Sequence, residues 1–153
     1  MPLDRAWIAA HIPHQGNMCL LDGVEVWDEQ RIRCRAASHR DAGNPLRAHG
    51  RLGAACGIEY AAQAMAVHGA LVAAQRDAAA RPGFLASARG VVMNVERLDD
   101  IGEDLQIEAE RLSGDGNSIL YAFTVRTAAA TLLEGRAAVV LDAAAWPRGG
   151  ARP

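Results

Sequence analysis

Apolar and polar positions along this chain fall into period-two segments on either side of one long, nearly uncharged stretch. An apolar run from Met18 to Leu21 is followed by Val24, Val26, Ile32 and Cys34, which keep alternate spacing about a turn at Asp28–Gln30. That pattern predicts one or two strands. Ahead of them, Asp4 is placed to cap a short helix from Arg5 to His11, closed by Pro13. Residues 39–53, HRDAGNPLRAHGRLG, hold three glycines and a proline and predict an irregular loop. From about residue 54 to residue 79 the chain is apolar on nearly every helical face. This predicts a single long, buried helix, ended by Arg81-Pro82-Gly83.

Strand patterns return after that helix. Phe84 to Leu98 contains an apolar run at Val91–Val95, and Leu105, Ile107 and Ala109 alternate with Gln106, Glu108 and Glu110. Gly114-Asp115-Gly116-Asn117 predicts a tight turn. Ile119, Tyr121, Phe123 and Val125 mark one face of the next strand, and Thr131 to Asp142 makes the last, with Gly135 as a bulge site. Residues 143–153 read as a loosely ordered tail. One buried helix with a meander of strands is an α+β layout. A curved antiparallel sheet wrapped around that helix covers its whole apolar circumference. Residues 1–142 then form one domain, as a chain of 153 residues allows.

Composition narrows the chemistry by exclusion. A net charge of −2 offers no electrostatic footprint for nucleic acid or an anionic membrane. All 16 basic residues are arginine, so no lysine is present to form a Schiff base. Cys19, Cys34 and Cys56 are unevenly spaced and form no CxxC pair; they read as reduced thiols of a cytoplasmic protein. No Cys/His cluster has the spacing of a metal site. The N-terminus is too short and too charged for a signal peptide, and polar residues interrupt the long helix too often for a membrane span.

Within that helix the polar residues are few: Glu59, Tyr60, Gln63 and His68. Glu59 stands in apolar surroundings, and His49 precedes it by ten residues at the end of the turn-rich loop. A carboxyl on an apolar helix with a histidine just ahead of it points to acid/base chemistry.

Three segments carry a family resemblance. Glu59-Tyr60-Ala61-Ala62-Gln63 resembles the E-x-x-A-Q signature on the central helix of hot-dog-fold 3-hydroxyacyl-thioester dehydratases. Ile12-Pro13-His14 through Leu20-Leu21-Asp22-Gly23-Val24 is similar to that family's N-terminal L-P-H…L-L-x-D-x-V segment. Phe84 to Leu98 with Ile101-Gly102-Glu103-Asp104 resembles its third strand and the turn after it. The likeness spans roughly residues 12–142 and is nearest to a divergent branch found with aryl-polyene-type biosynthesis. The chain departs from typical members at the histidine, where the loop between His49 and Glu59 is shorter.

The resemblance implies dehydration of a 3-hydroxyacyl thioester, carried on an acyl carrier protein, with no metal or redox cofactor. His49 is then the base that removes the α-proton, and Glu59 the acid that protonates the departing hydroxyl. Backbone N–H groups at the helix start, at Gly53 and Ala54, stabilise the charge gathering on the thioester oxygen. Gln63, one turn beyond Glu59, orients the carboxylate. The site forms across two hot-dogs, in a homodimer or in a heterodimer with another hot-dog subunit. Arg81, Arg89 and Arg97 are candidates to dock an acidic carrier protein. Two other functions share this fold: a thioesterase that uses the same acid, and a non-catalytic subunit completing a heterodimeric dehydratase. The remaining histidines read as structural (His11 and His14), solvated (His39) or core (His68), and Cys56 as a core filler.

Overall fold

The computed structural model describes residues 3–78, 83–115 and 117–141. In these residues the period-two segments become six strands: β1 (Gly23–Trp27), β2 (Arg31–Ala36), β3 (Phe84–Met93), β4 (Leu105–Gly114), β5 (Ser118–Arg126) and β6 (Thr131–Val140). They form one antiparallel sheet in the order β1-β2-β4-β5-β6-β3. Alternation fixes which face is covered. Ile32 and Cys34, Leu105 and Ile107, and Tyr121, Phe123 and Val125 are buried on one side, and their neighbours in sequence face the other.

One long helix covers the buried face, and a shorter helix packs against it. Helix α1 (Arg5–His11) starts where the sequence places it, with the Asp4 carboxylate accepting from the Trp7 N–H at 3.0 Å. Helix α2 (Gly57–Gln75) is entered through a 3-10 turn over Ala54–Cys56 and lies across β2, β4 and β5. Its small residues permit close approach: a Cβ added at Gly57 would lie 2.6 Å from Leu133 Cδ2 on β6. The helix stops earlier than expected. Asp77 turns left-handed (φ 52), its N–H bonds the Ala74 carbonyl at 3.1 Å, and the Ala78 N–H reaches the Ala73 carbonyl at 2.8 Å. This is a Schellman closure with aspartate in the glycine position, and it acts before Arg81 and Pro82, which lie outside the described residues, as does the tail.

The expected bulge is displaced as well. The register slips in β3 between Arg89 and Val92, where Gly90 has φ 59, and Gly135 on β6 lies opposite that slip. Gly135 accommodates the bulge of its neighbour and the ring of Phe123, its partner on β5. Among the described residues no helix is long and apolar enough to cross a membrane.

Two histidines are sealed inside this frame. His68, as expected, is a core residue: one ring nitrogen meets the Tyr121 hydroxyl and the other the Asp28 carbonyl, each at 2.8 Å. His39 is a correction, for it is fully buried and bonds the Ile101 carbonyl at 3.0 Å. Sequence context showed only its polar neighbours, while the covering residue comes from a distant turn. Burial pulls both imidazoles below the ordinary histidine value of 6.5. Above that value both states are neutral and the stabilisation is complete. As pH falls through the depressed folded values, the unfolded chain binds protons that the folded chain refuses, and stability is lost. The urea midpoint therefore drops between about pH 7 and pH 5, and less so in His68→Asn. A midpoint flat across this interval would contradict buried neutral imidazoles.

Candidate active site

The loop that carries the first candidate residue ends in a two-residue turn. Ala48 and Arg51 exchange backbone hydrogen bonds at 2.9 and 3.0 Å, and His49 (φ 55) and Gly50 (φ 73) between them are both left-handed. That is the turn type that asks for glycine, asparagine or a tolerant residue at each centre. It leaves the His49 side chain exposed at the tip.

The chain then runs along residues 96–99 before entering the helix. The Leu98 N–H donates to the Leu52 carbonyl at 2.7 Å, and the Leu52 N–H donates to Asp99 Oδ1 at 2.9 Å. Arg97 grips the same carboxylate, and that pairing holds Asp99 well below the usual carboxylate range. The Ala54 N–H is already committed to the Glu96 carbonyl at 3.0 Å. It is therefore not a free donor, contrary to the sequence reading. Among the described residues the N–H groups of Gly53 and Ala55 have no protein acceptor, so they are the donors left at the helix entrance.

Glu59 occupies the first turn of α2 and is exposed, not buried as its apolar neighbours suggest. The apolar surroundings are real but cover one side only. Its side chain lines a groove of about 540 Å³. Ala62, Ala66 and Ala70 continue the helical wall of this groove, and His11, Pro13 and His14 form a second wall. Phe84, Leu85 and Val139 supply the third. His49 does not line it, so one chain alone does not bring His49 and Glu59 into a common cavity. A smaller hollow of about 300 Å³, flanked by Arg31, Arg33, Glu108, Glu110 and Thr124, lies on the sheet face turned away from α2.

Gln63 has a different task from the one expected. It is buried; its carbonyl accepts from the Leu20 N–H at 2.9 Å and its amide donates to the Met18 carbonyl at 2.7 Å. The E-x-x-A-Q helix thus turns its acid into the groove and uses its glutamine to fasten the N-terminal segment. Tyr60 closes another buried network, with its hydroxyl 2.7 Å from Ser38 Oγ and 3.0 Å from Asn44 Nδ2.

The groove contains two residues that the sequence assigns to structural support, His11 and His14. The signal that places them there is the short run from Pro13 to the buried pair Leu20 and Leu21, which Gln63 pins to α2. Cys56, by contrast, has its thiol pushed up by burial and remains a neutral filler. Among the described residues no group of three or more His, Cys, Asp or Glu side chains is arranged to hold a metal ion. Of the docking arginines, Arg97 is held by Asp99, Arg89 is exposed on β3, and Arg81 lies outside the described residues.

Comparison with known proteins agrees with this layout. The ApeP-like family model, described as ApeP dehydratase, matches residues 6–145. The fold is similar to that of the dehydratase heterocomplex ApeI:P from Xenorhabdus doucetiae, with a TM-score of 0.80 and 23% sequence identity over 93% of this chain and 91% of that one. It is also similar to zebra fish thioesterase superfamily member 2, with a TM-score of 0.63 and 15% identity over 90% of this chain and 95% of that one. S. sahachiroi AziG matches with a TM-score of 0.51 and 18% identity, over 77% and 88% of the two chains. No curated protein matches significantly in sequence. The sheet and its central helix are a hot-dog fold.

Proposed function

The chain belongs to the ApeP-like dehydratase family, and from that premise we propose that it supplies one hot-dog of a two-hot-dog site that dehydrates a 3-hydroxyacyl thioester, delivered on an acyl carrier protein, to the trans-2-enoyl thioester in polyene biosynthesis. The observation that carries this reading is the placement of Glu59, among the described residues the one carboxylate lining a groove whose other walls are alanine, proline, histidine and apolar side chains. A second subunit laid over that groove would take the carboxyl out of bulk water.

The partner's seat supports the same reading. Among the described residues strand β3 ends the sheet, and its outer backbone groups have no strand beside them. Along it Phe84, Leu85, Val92 and Met93 are all exposed, and Phe84 and Leu85 also wall the groove. A second hot-dog laid along this edge closes the groove over Glu59 and brings its own loop histidine within reach. The similar ApeI:P structure is itself a complex of dehydratase subunits, which favours a partner of the same fold.

In the covered site the base, His49 of one subunit, takes the α-proton. The released electron pair forms the α–β double bond as the bond to the 3-hydroxyl breaks, and Glu59 of the other subunit gives that hydroxyl the proton with which it leaves as water. The Gly53 and Ala55 N–H groups, at the positive end of α2, receive the charge on the thioester oxygen during the step. Of the three arginines named as docking candidates, Arg89 is the one that is described and exposed.

The test is to mix two inactive variants. His49→Asn keeps the left-handed turn, and Glu59→Gln keeps the size of the acid. Each alone lowers water loss from a 3-hydroxyacyl carrier protein by at least about 100-fold. Mixed after dissociation, they rebuild one intact site per dimer and regain a measurable share of the activity. If the wild-type chain turns over only with a different hot-dog subunit, the same pairing is tested with one variant in each subunit. A mixture that stays inactive in both assemblies removes the shared site.

A further inference from the structure

The entrance to α2 is held by a carboxylate that the reaction above does not use. Residues 52–54 lie against residues 96–98 as a short antiparallel ladder. In it the Leu98 N–H donates to the Leu52 carbonyl at 2.7 Å and the Ala54 N–H to the Glu96 carbonyl at 3.0 Å. Gly53 pairs with Arg97 between those two bonds. In such a pair the residue's own N–H points away from the neighbouring segment, so the Gly53 N–H is turned outward from residues 96–98. An unbroken ladder would also give the Leu52 N–H to the Leu98 carbonyl. That carbonyl is taken instead by the Ile101 N–H at 3.0 Å, where the chain turns. The Asp99 carboxylate fills the gap, its Oδ1 accepting from the Leu52 N–H at 2.9 Å. Arg97 holds the carboxylate in place, with Nε 3.0 Å from Oδ1 and a terminal nitrogen on Oδ2. The Asp99 side chain is only 6% exposed, and a charge-assisted bond is roughly twice as strong as the neutral ladder bond it replaces.

We infer that Asp99 is a positioning residue for the dehydration: by taking the Leu52 N–H it fixes the backbone beside Gly53 and keeps the Gly53 N–H aimed at the thioester oxygen, an inference that rests on the dehydratase reading above. Glycine makes the anchor necessary, because a residue without a side chain leaves its own backbone free to rotate. A Cβ added at Gly53 would meet nothing within 4 Å, so packing around that position does not hold it. With the Leu52 N–H on Asp99 and the Leu52 carbonyl on Leu98, the peptides on both sides of Leu52 are fixed, and the Gly53 donor with them. Pre-set geometry of this kind is what a charge-stabilising donor requires.

The experiment reads that donor directly. The assembled dehydratase carrying Glu59→Gln, which prevents turnover, is loaded with a 3-hydroxyacyl pantetheine thioester isotopically labelled at the carbonyl carbon. Infrared difference spectroscopy then records the carbonyl stretch. The band of the bound probe is expected at lower frequency than that of the free probe. Adding Asp99→Ala returns it toward the free value, and Asp99→Asn, whose amide oxygen still accepts from Leu52, leaves it between the two. With Glu59 intact, Asp99→Ala lowers kcat on the order of 10²-fold and leaves KM within about twofold. A merely structural loss would reduce the amount of assembled enzyme and leave the band of the bound probe in place. If band and kcat keep their wild-type values in every Asp99 variant that assembles, the inference about Asp99 is overturned and the dehydratase reading stands. The same follows if the band is not lowered with Asp99 in place while the wild-type assembly dehydrates its substrate. If the wild-type assembly loses no water from any 3-hydroxyacyl probe, both are overturned together.

Discussion

Glu59→Gln lowers the rate of water loss from a 3-hydroxyacyl thioester by on the order of 10²–10⁴ in the assembled enzyme, the usual contribution of a positioned general acid. Glutamine fills the same volume and still accepts a hydrogen bond, but it has no proton to give to a departing hydroxyl. Since the Glu59 side chain is exposed in the single chain, the change costs little in folding, within about 0.5 kcal/mol. Single-turnover mass spectrometry beside a melting curve separates the two effects. A variant that keeps more than about a tenth of the wild-type rate would remove Glu59 from the acid's role.

The second large effect is on stability and arises one helical turn further on. Gln63→Met keeps the length of the side chain and removes both of its hydrogen bonds, leaving the buried Leu20 N–H without an acceptor and the Met18 carbonyl without its donor. The expected loss is about 2–3 kcal/mol, read as a melting temperature lower by roughly 5–10 °C for a domain of this size. Because the same bonds hold the Pro13–His14 wall beside the helix, KM for the acyl substrate rises as well. A loss below about 0.5 kcal/mol would mean that the segment is fixed by the packing of Leu20 and Leu21 alone.

Much of this architecture is legible in the residues, for a physical reason. Strands with one covered face write period two into the sequence, and Ile119 to Val125 or Leu105 to Ala109 can be read directly. Capping is equally local, so Asp4 announces α1. The end of α2 is less legible because aspartate, not glycine, takes the left-handed position at Asp77. The helix itself hides its open face. Alanine on every side gives no contrast between Ala61 and Ala64, which are buried, and Ala62 and Ala66, which line the groove. For the same reason Glu59 reads as enclosed when one side of it is open.

The candidate site divides along the same line. The E-x-x-A-Q signature identifies the acid and the glutamine, but the glutamine's partners lie more than 40 residues away in sequence. Its role as an anchor therefore becomes visible only in the fold. Ala54 looks like a donor until its N–H is seen bonded to Glu96. His39 looks solvated until Ile101 covers it.

The product itself separates dehydration from hydrolysis. Purified chain, alone and with a second hot-dog subunit, is incubated with a 3-hydroxyacyl carrier protein and followed by intact mass spectrometry. The acyl group is expected to lose one water with the thioester intact, when the groove over Glu59 is closed by a partner and not in Glu59→Gln. Release of the free 3-hydroxy acid with the water still on it would instead make this hot-dog a thioesterase and not a dehydratase.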